Sequence, residues 1–351
     1  MPPPEVGDAV RTVRTPAVSL RISERALLVS SAIAVLTAVA AVATMVTGDF
    51  PLTVGEVLAT VAGQGDGYAD FVVFTLRLPR LITGLLVGAA LALSGAILQS
   101  LSRNPLASPD IIGFTQGAAT GAIAVLVLAQ GSMAATALGA TAAGLLTSTA
   151  VYLLALKQGV QGFRLVLIGI GVSAMMLAVN SYLITRATLE SALAAQTWLV
   201  GGLNNRGWDQ AQVIAVVLAV LLPCALALGR RLALLEMGDS AATGLGVNAE
   251  RTRLALLAVS VGLAAVATAA AGPISFVALA APQVARRLTG ASGPGLAASA
   301  LTGGLLLVVG DFAVQRLFPT TQLPVGIATG AIGGLYLVWL LAHEWRKGST
   351  T

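Results

Sequence analysis

The chain has 351 residues, 56% of them hydrophobic and 10% charged, with a formal net charge of +5 and a mean hydropathy of +0.89. A soluble domain carries about 25% charged residues, so a single water-soluble core is excluded and lipid is the natural solvent. The surplus of Lys and Arg suits the cytoplasmic loops of a membrane protein better than a nucleic-acid surface, and one cysteine, Cys224, excludes an internal disulfide.

In chain order, residues 1–25, with Pro2-Pro3-Pro4 and four arginines, read as a flexible tail ahead of a membrane domain spanning 26–351. About 20 apolar residues in a helix cross a hydrocarbon core of ~30 Å. Uncharged intervals place the first span at 26–48 and the second at 81–102. The second lies between Arg77 and Arg80 on one side and the turn Arg103-Asn104-Pro105 on the other. Residues 111–156 hold two helices divided at Gln130-Gly131-Ser132; 165–185 and 210–229 are spans five and six. The uncharged run 254–285 is divided by Ala271-Gly272-Pro273, because proline removes a backbone donor and clashes with the preceding turn. A full helix to about Ala271 and a shorter one from about Ser275 to Arg287 follow. Residues 296–314 and 325–342 complete ten spans.

Ten spans put both termini on one side. With that side cytoplasmic, 15 of the 20 cations lie inside, leaving Arg77, Arg80, Arg186, Arg206 and Arg316 outside. That bias sets the orientation and makes the five outer arginines exceptions that need a reason. Gly95, Ile97, Pro105 and Gly113 recur as Gly272, Ile274, Pro282 and Gly290, each 177 residues later. The echo suggests two related halves, as in many transporters.

Absences narrow the function. No ionisable residue sits in the middle of a predicted span, where coupled carriers usually keep one. The one histidine, His343, is near the C-terminus, so no histidine-based metal or catalytic centre is expected. No GxxxxGK[ST] loop is present to hold ATP. A pump built on this chain takes its energy from another subunit; the chain itself is not an enzyme and needs no cofactor. The segment Arg230–Arg253 is a candidate surface for that subunit: Asp239 or Ser240 can cap a short helix containing Ala241 and Ala242, stopped by Gly244 and Gly246.

Several ordered motifs then match one family. LRLPR (Leu76–Arg80), SGAILQ (Ser94–Gln99), RNPLASPDIIG (Arg103–Gly113) and WLVGGLNNRGW (Trp198–Trp208) are followed by MGDSAATGLGVN (Met237–Asn248), GPISFVALAAPQVAR (Gly272–Arg286) and QLPVGIATGAIGGLYLVWLL (Gln322–Leu341). The chain resembles the FecCD-type permeases, transmembrane subunits of type II ABC importers for iron–siderophore, haem and cobalamin substrates. The resemblance implies an all-α polytopic fold of ten helices in the cell membrane and a homo- or heterodimer around a central pathway. It also implies two cytoplasmic ATPases and an extracytoplasmic binding protein. Gly238, Asp239, Ala241, Leu245 and Gly246 fall on the family's ATPase-coupling loop; Arg77, Arg80 and Arg316 match arginines that meet glutamates of the binding protein. The chain departs from the family at Gln283, where histidine is usual, and at Gln322, where glutamate is usual. Within spans two and five, Gln99, Ser173, Met176 and Asn180 either line the pathway or bond and pack between helices. The expected function is import of an iron–siderophore complex by alternating access; the alternatives are haem or cobalamin import, or a stand-alone secondary carrier.

Overall fold

The computed structural model describes residues 10–14, 19–110, 113–155, 162–291, 293–318 and 323–348. Within the segment expected as a tail, β1 (Val10–Arg14) and β2 (Ser19–Ser23) form an antiparallel hairpin with Val10 opposite Ser23. Ser23 then caps α1 (Glu24–Val46), its hydroxyl accepting from the Ala26 N–H at 3.1 Å. From there the described chain is helical. α2 (Val54–Val61) opens on a reciprocal cap in which Thr53 accepts from Glu56 N–H and donates its own N–H to the Glu56 carboxylate. α3 (Gly67–Asp70) runs through a π-helical stretch, Phe71–Arg77, into α4 (Leu78–Ser102). Pro79 gives no N–H to the preceding turn, where the Phe74 carbonyl accepts instead from Trp208 Nε1 at 2.8 Å. The remaining helices are α5 (Phe114–Leu128), α6 (Met133–Ala155), α7 (Gly162–Thr185), α8 (Leu189–Val200), α9 (Trp208–Glu236), α10 (Asp239–Gly244), α11 (Ala249–Ala271), α12 (Val277–Thr289), α13 (Leu296–Leu317) and α14 (Val325–Gly348).

The ten expected spans are α1, α4, α5, α6, α7, α9, α11, α12, α13 and α14. Among the described residues, seven helical stretches are long and apolar enough to cross a membrane outright; α5 and the first half of α14 are shorter apolar helices. α8 is the unexpected element. It carries Glu190 in its first turn and covers the α5 face through buried Trp198, with Leu199 beside it.

α4 is the axis of the bundle. Its most apolar stretch is 72% buried against 6% for α1, so α1 faces lipid with Leu28, Val35, Leu36 and Val39 outward. Small residues let neighbours approach α4 closely: a Cβ on Gly88 would stand 2.2 Å from the Gly303 carbonyl of α13, and one on Gly95 1.7 Å from the Ala278 carbonyl of α12. α5 and α6 meet the same way, Gly121 against the Gly139 carbonyl. The pair Gly330/Gly334 resembles these motifs in sequence but faces open space.

The 177-residue echo does not mark equivalent places. Gly95 lies inside α4 whereas Gly272 ends α11 with φ +74°; Pro105 follows α4 whereas Pro282 lies within α12. Between α11 and α12 the chain runs irregularly through Gly272–Phe276, with Phe276 at φ +69°. The neighbouring backbone is tied in: Gly202 N–H donates to the Ala271 carbonyl at 2.7 Å and Gly326 N–H to the Gly201 carbonyl at 3.2 Å. Irregular backbone at this depth is tolerated only when protein shields it from lipid.

Candidate functional sites at the two ends of the bundle

Helix connectivity gathers the predicted site residues at opposite ends. One end, the mouth, holds the starts of α4 and α14, the ends of α1 and α13, and the loop between α8 and α9. A cavity of about 460 Å³ opens there, lined by Arg77, Arg80, Arg206 and Arg316 together with Asp49, Asn204 and Gln315. Four of the five arginines that the charge count leaves outside thus share one concavity. Arg186, the fifth, lies over the Tyr182 ring at 5.8 Å.

These four cations are not equivalent. Arg80 is clamped: Nε and Nη2 each donate to the Asp311 carboxylate at 2.8 Å, and Nη2 also donates to Asn204 Oδ1 at 2.8 Å. Asp311 is 7% exposed and takes a further bond from Gln315 Nε2 at 2.7 Å. The arrangement joins α4, α13 and the loop before α9 through a bidentate pair, the strong geometry for a guanidinium and a carboxylate. Arg77 donates to the carbonyls of Met45 and Phe50, holding the chain that leaves α1. Arg206 donates to the Gly202 carbonyl at 3.3 Å, and burial pushes its guanidinium below the usual arginine range. Arg316 is exposed, 5.6 Å above the Phe312 ring. Of the three arginines matched to a docking role, Arg316 is therefore the one most open to an arriving partner, and Arg80 already has a carboxylate. Asp311 was missed because it lies near the end of the predicted span 296–314; α13 continues to Leu317 and buries it.

The opposite, basic end holds Arg25, Arg103, Arg253, Arg286 and Arg287. Arg25 donates to the Leu288 and Arg287 carbonyls that end α12, at 3.0 and 3.4 Å, a cation where the helix dipole favours one. α10 stands exposed here between Gly238 (φ +118°) and Gly246 (φ +81°). Ala242 is buried beneath it, Ala241 is half-buried, and Met237 and Leu245 face outward. Contrary to expectation, neither Asp239 nor Ser240 caps the helix; Gly238 does, without a side-chain bond. The Asp239 carboxylate instead takes two bonds from Arg253, at 2.8 and 2.9 Å, and lies 3.5 Å from Arg103.

The four pathway candidates do not converge. Gln99 is 2% exposed and bonds across to α12; Asn180 is buried against α5, donating to Gln116. Both amide nitrogens bond between helices, and Asn180 Oδ1 is buried without a partner among the described residues. Ser173 has a buried hydroxyl without a bonding partner, close to Gly113, and Met176 is half-buried on the same helix. Gln283 meets Gln99, its amide donating to Gln99 Oε1 at 2.7 Å. Gln322 lies outside the described residues. Among the described residues no cluster of His, Cys, Asp and Glu could hold a metal ion.

A multi-pass helical bundle with a cation-lined mouth at one end and a small exposed helix at the other defines a membrane permease. The chain belongs to the FecCD transport family, whose model matches residues 36–343, and such permeases are the membrane subunits of ABC importers, which lack an ATPase site of their own. It is 47% identical over 300 residues to the ferric enterobactin transport system permease protein FepG of Escherichia coli (strain K12), covering 86% of this chain and 91% of that one. It is 38% identical over 306 residues to the achromobactin transport system permease protein CbrC of Dickeya dadantii, covering 86% and 88%. The cobalamin import system permease protein BtuC of Halobacterium salinarum is 38% identical over 275 residues, covering 78% and 74%. A solved metal-chelate type ABC transporter in an inward-facing conformation superposes with a TM-score of 0.81 at 30% identity, covering 90% of this chain and 99% of that chain.

Proposed function

We propose that this chain is the permease subunit of an importer that carries a ferric siderophore across the cytoplasmic membrane, driven by ATP hydrolysed on partner subunits. The observation that carries the substrate reading is the 47% identity to a ferric enterobactin permease over 86% of the chain. The basic end faces the cytoplasm with both termini, since Lys and Arg accumulate on that side. There α10 and its flanking residues Gly238, Asp239, Ala241, Leu245 and Gly246 seat on the ATPase. The mouth faces outward and receives an acidic partner, the loaded binding protein, through Arg316, with Arg77 and Arg80 framing the rim. Exposed cations of this kind contribute orientation and on-rate more than affinity. Two permease subunits enclose the path, and alternating access moves the cargo. Faces of α7 and α14 rich in outward Leu, Ile and Val suit a second subunit or lipid.

The test is uptake of ⁵⁵Fe-loaded enterobactin and, in parallel, of ⁵⁷Co-labelled cobalamin in a strain lacking the chain, with and without a restored copy. Loss and recovery of ferric enterobactin uptake, with cobalamin uptake unchanged, is the expected result. Loss of cobalamin uptake alone would move the cargo to the second reading, which the Halobacterium relative favours.

A further inference from the structure

α10 is joined to the buried axis of the bundle by two polar routes that start from either side of the link Met237-Gly238. On one side, Asp239 faces Arg103 at 3.5 Å. Arg103 closes α4 in the left-handed conformation (φ 50°), and Asn104 then takes up the Gln99 carbonyl through its N–H at 3.1 Å. The carbonyl of Pro105, next in the turn, accepts from Gln283 Nε2 at 3.2 Å. The same amide donates its other proton to Gln99 Oε1 at 2.7 Å, and Gln99 Nε2 donates to the Leu279 carbonyl at 3.1 Å. On the other side, Glu236 ends α9 and faces Arg286 of α12 at 3.4 Å. Arg286 in turn donates to Ser100 Oγ of α4 at 2.6 Å. Both routes finish on the same two helices, α4 and α12, at the place where Gly95 brings their backbones into contact.

The routes grade from loose to tight. Asp239 and Arg103 are half exposed, at 51% and 52%, so their attraction is screened and the contact can slide. Gln99 and Gln283 are buried, and parting them would strand amide groups among apolar neighbours. A displacement of α10 therefore pulls on the end of α4, while α4 and α12 respond as one body.

We infer that this network is the route by which movement of α10 reaches the membrane helices. Arg103 and Arg286 are its positioning residues, and the Gln99–Gln283 pair is the clasp that makes α4 and α12 move together. The inference rests on the reading of the chain as an ATP-driven importer permease, and it assigns a task to Gln283, where the sequence leaves its family's pattern.

The test uses the complete importer in proteoliposomes with ferric enterobactin as the probe, measuring substrate moved per ATP hydrolysed. Arg103→Gln lowers that ratio about two- to thirtyfold, the range over which residues along a coupling network act. Arg103→Lys, which keeps the charge, restores most of it. Asp239→Asn also weakens the two bonds from Arg253, so the cycle is run in an Arg253→Gln background. There the double variant Arg103→Gln/Asp239→Asn is no worse than the poorer single variant, because both changes then cut the one link that is left. An unchanged ratio in Arg103→Gln, or losses that multiply in the double variant, would overturn the relay. If the unaltered complex hydrolyses ATP without moving the probe, the functional reading fails first, and that outcome is seen without any variant.

Discussion

Asp311→Ala is the most informative perturbation of the mouth. The substitution removes three hydrogen bonds, two from Arg80 at 2.8 Å and one from Gln315 at 2.7 Å. It leaves the Arg80 guanidinium with Asn204 alone. Removing one partner of a fully buried pair costs about 3–5 kcal/mol. The Arg80 side chain is 23% exposed, so water recovers part of that, and a loss of about 2–4 kcal/mol is expected. Arg80→Met/Asp311→Leu removes both charges and should cost less than Asp311→Ala by itself, giving a coupling energy of about 2–3 kcal/mol. The assay is SDS-driven unfolding in mixed micelles, followed by tryptophan fluorescence, for Asp311→Ala and for the cycle Arg80→Met, Asp311→Leu and their double. If the single losses add to within about 0.5 kcal/mol, the two side chains do not act as a pair and the clamp reading is refuted.

The other expectations concern packing, coupling, docking and pH. Gly95→Ala should abolish the yield of monodisperse protein, since its Cβ would stand 1.7 Å from the Ala278 carbonyl. Gly330→Ala, in open space, should stay within about 0.5 kcal/mol of the parent by the same unfolding assay. A Cβ on Gly246 would meet no atom within 4 Å, although its φ of +81° strains any side chain there. Because the loop is exposed, Gly246→Trp should insert normally and lose transport; undiminished uptake would sink the coupling role of this loop. Arg316→Glu should weaken capture of the binding protein most at low ionic strength, measured by surface plasmon resonance across a salt series; a salt-independent loss would contradict the electrostatic reading. The Thr53 backbone and side-chain bonds hold the Glu56 carboxyl below its ordinary value of 4.5. Because the folded value is the lower one, this cap's stabilisation is complete above about pH 4.5 and is lost as pH falls through the folded value. The protection factors of the amides in the first turn of α2, taken relative to the slower intrinsic exchange in acid, should fall as the pH drops, and Glu56→Gln should flatten that response; identical acid responses would disprove the link.

The membrane spans were legible because charge is largely excluded from lipid, so uncharged intervals in the sequence coincide with helices even where α11 and α12 share one interval; α13, with its buried Asp311, is the exception. Pro273 marked their division for the same steric reason that the structure displays. What stayed hidden was the direction in which polar residues point. Gln99 and Asn180 look alike as pathway candidates in one dimension. Only the placement of Leu279, Gln283 and Gln116 shows that the Gln99 amide and the Asn180 NH2 bond between helices, while Asn180 Oδ1 is buried without a partner among the described residues. Arg80 shows the same limit: its partner Asp311 is 231 residues away, and no local pattern couples them. α8 escaped notice because its burial against α5 comes from Trp198 with Leu199 beside it, too few residues for a periodic signal. Gly330/Gly334 and the 177-residue echo are the converse case, patterns of small residues that the fold does not use.

α12 carries a consequence for how the protein is made. Its 13 residues extend about 20 Å, short of the ~30 Å that a spanning helix needs. Gln283, Arg286 and Arg287 lower its apolar character further. Such a segment has little tendency to leave the translocon for lipid by itself. Its way into the bilayer runs beside α4 and α13, while the irregular Gly272–Phe276 backbone packs against Trp198, Gly201 and, from α14, Gly333. Biogenesis of this element is therefore a folding step as much as an insertion step, and damage to the α4 surface at Gly95 would register first as failed topogenesis of α12.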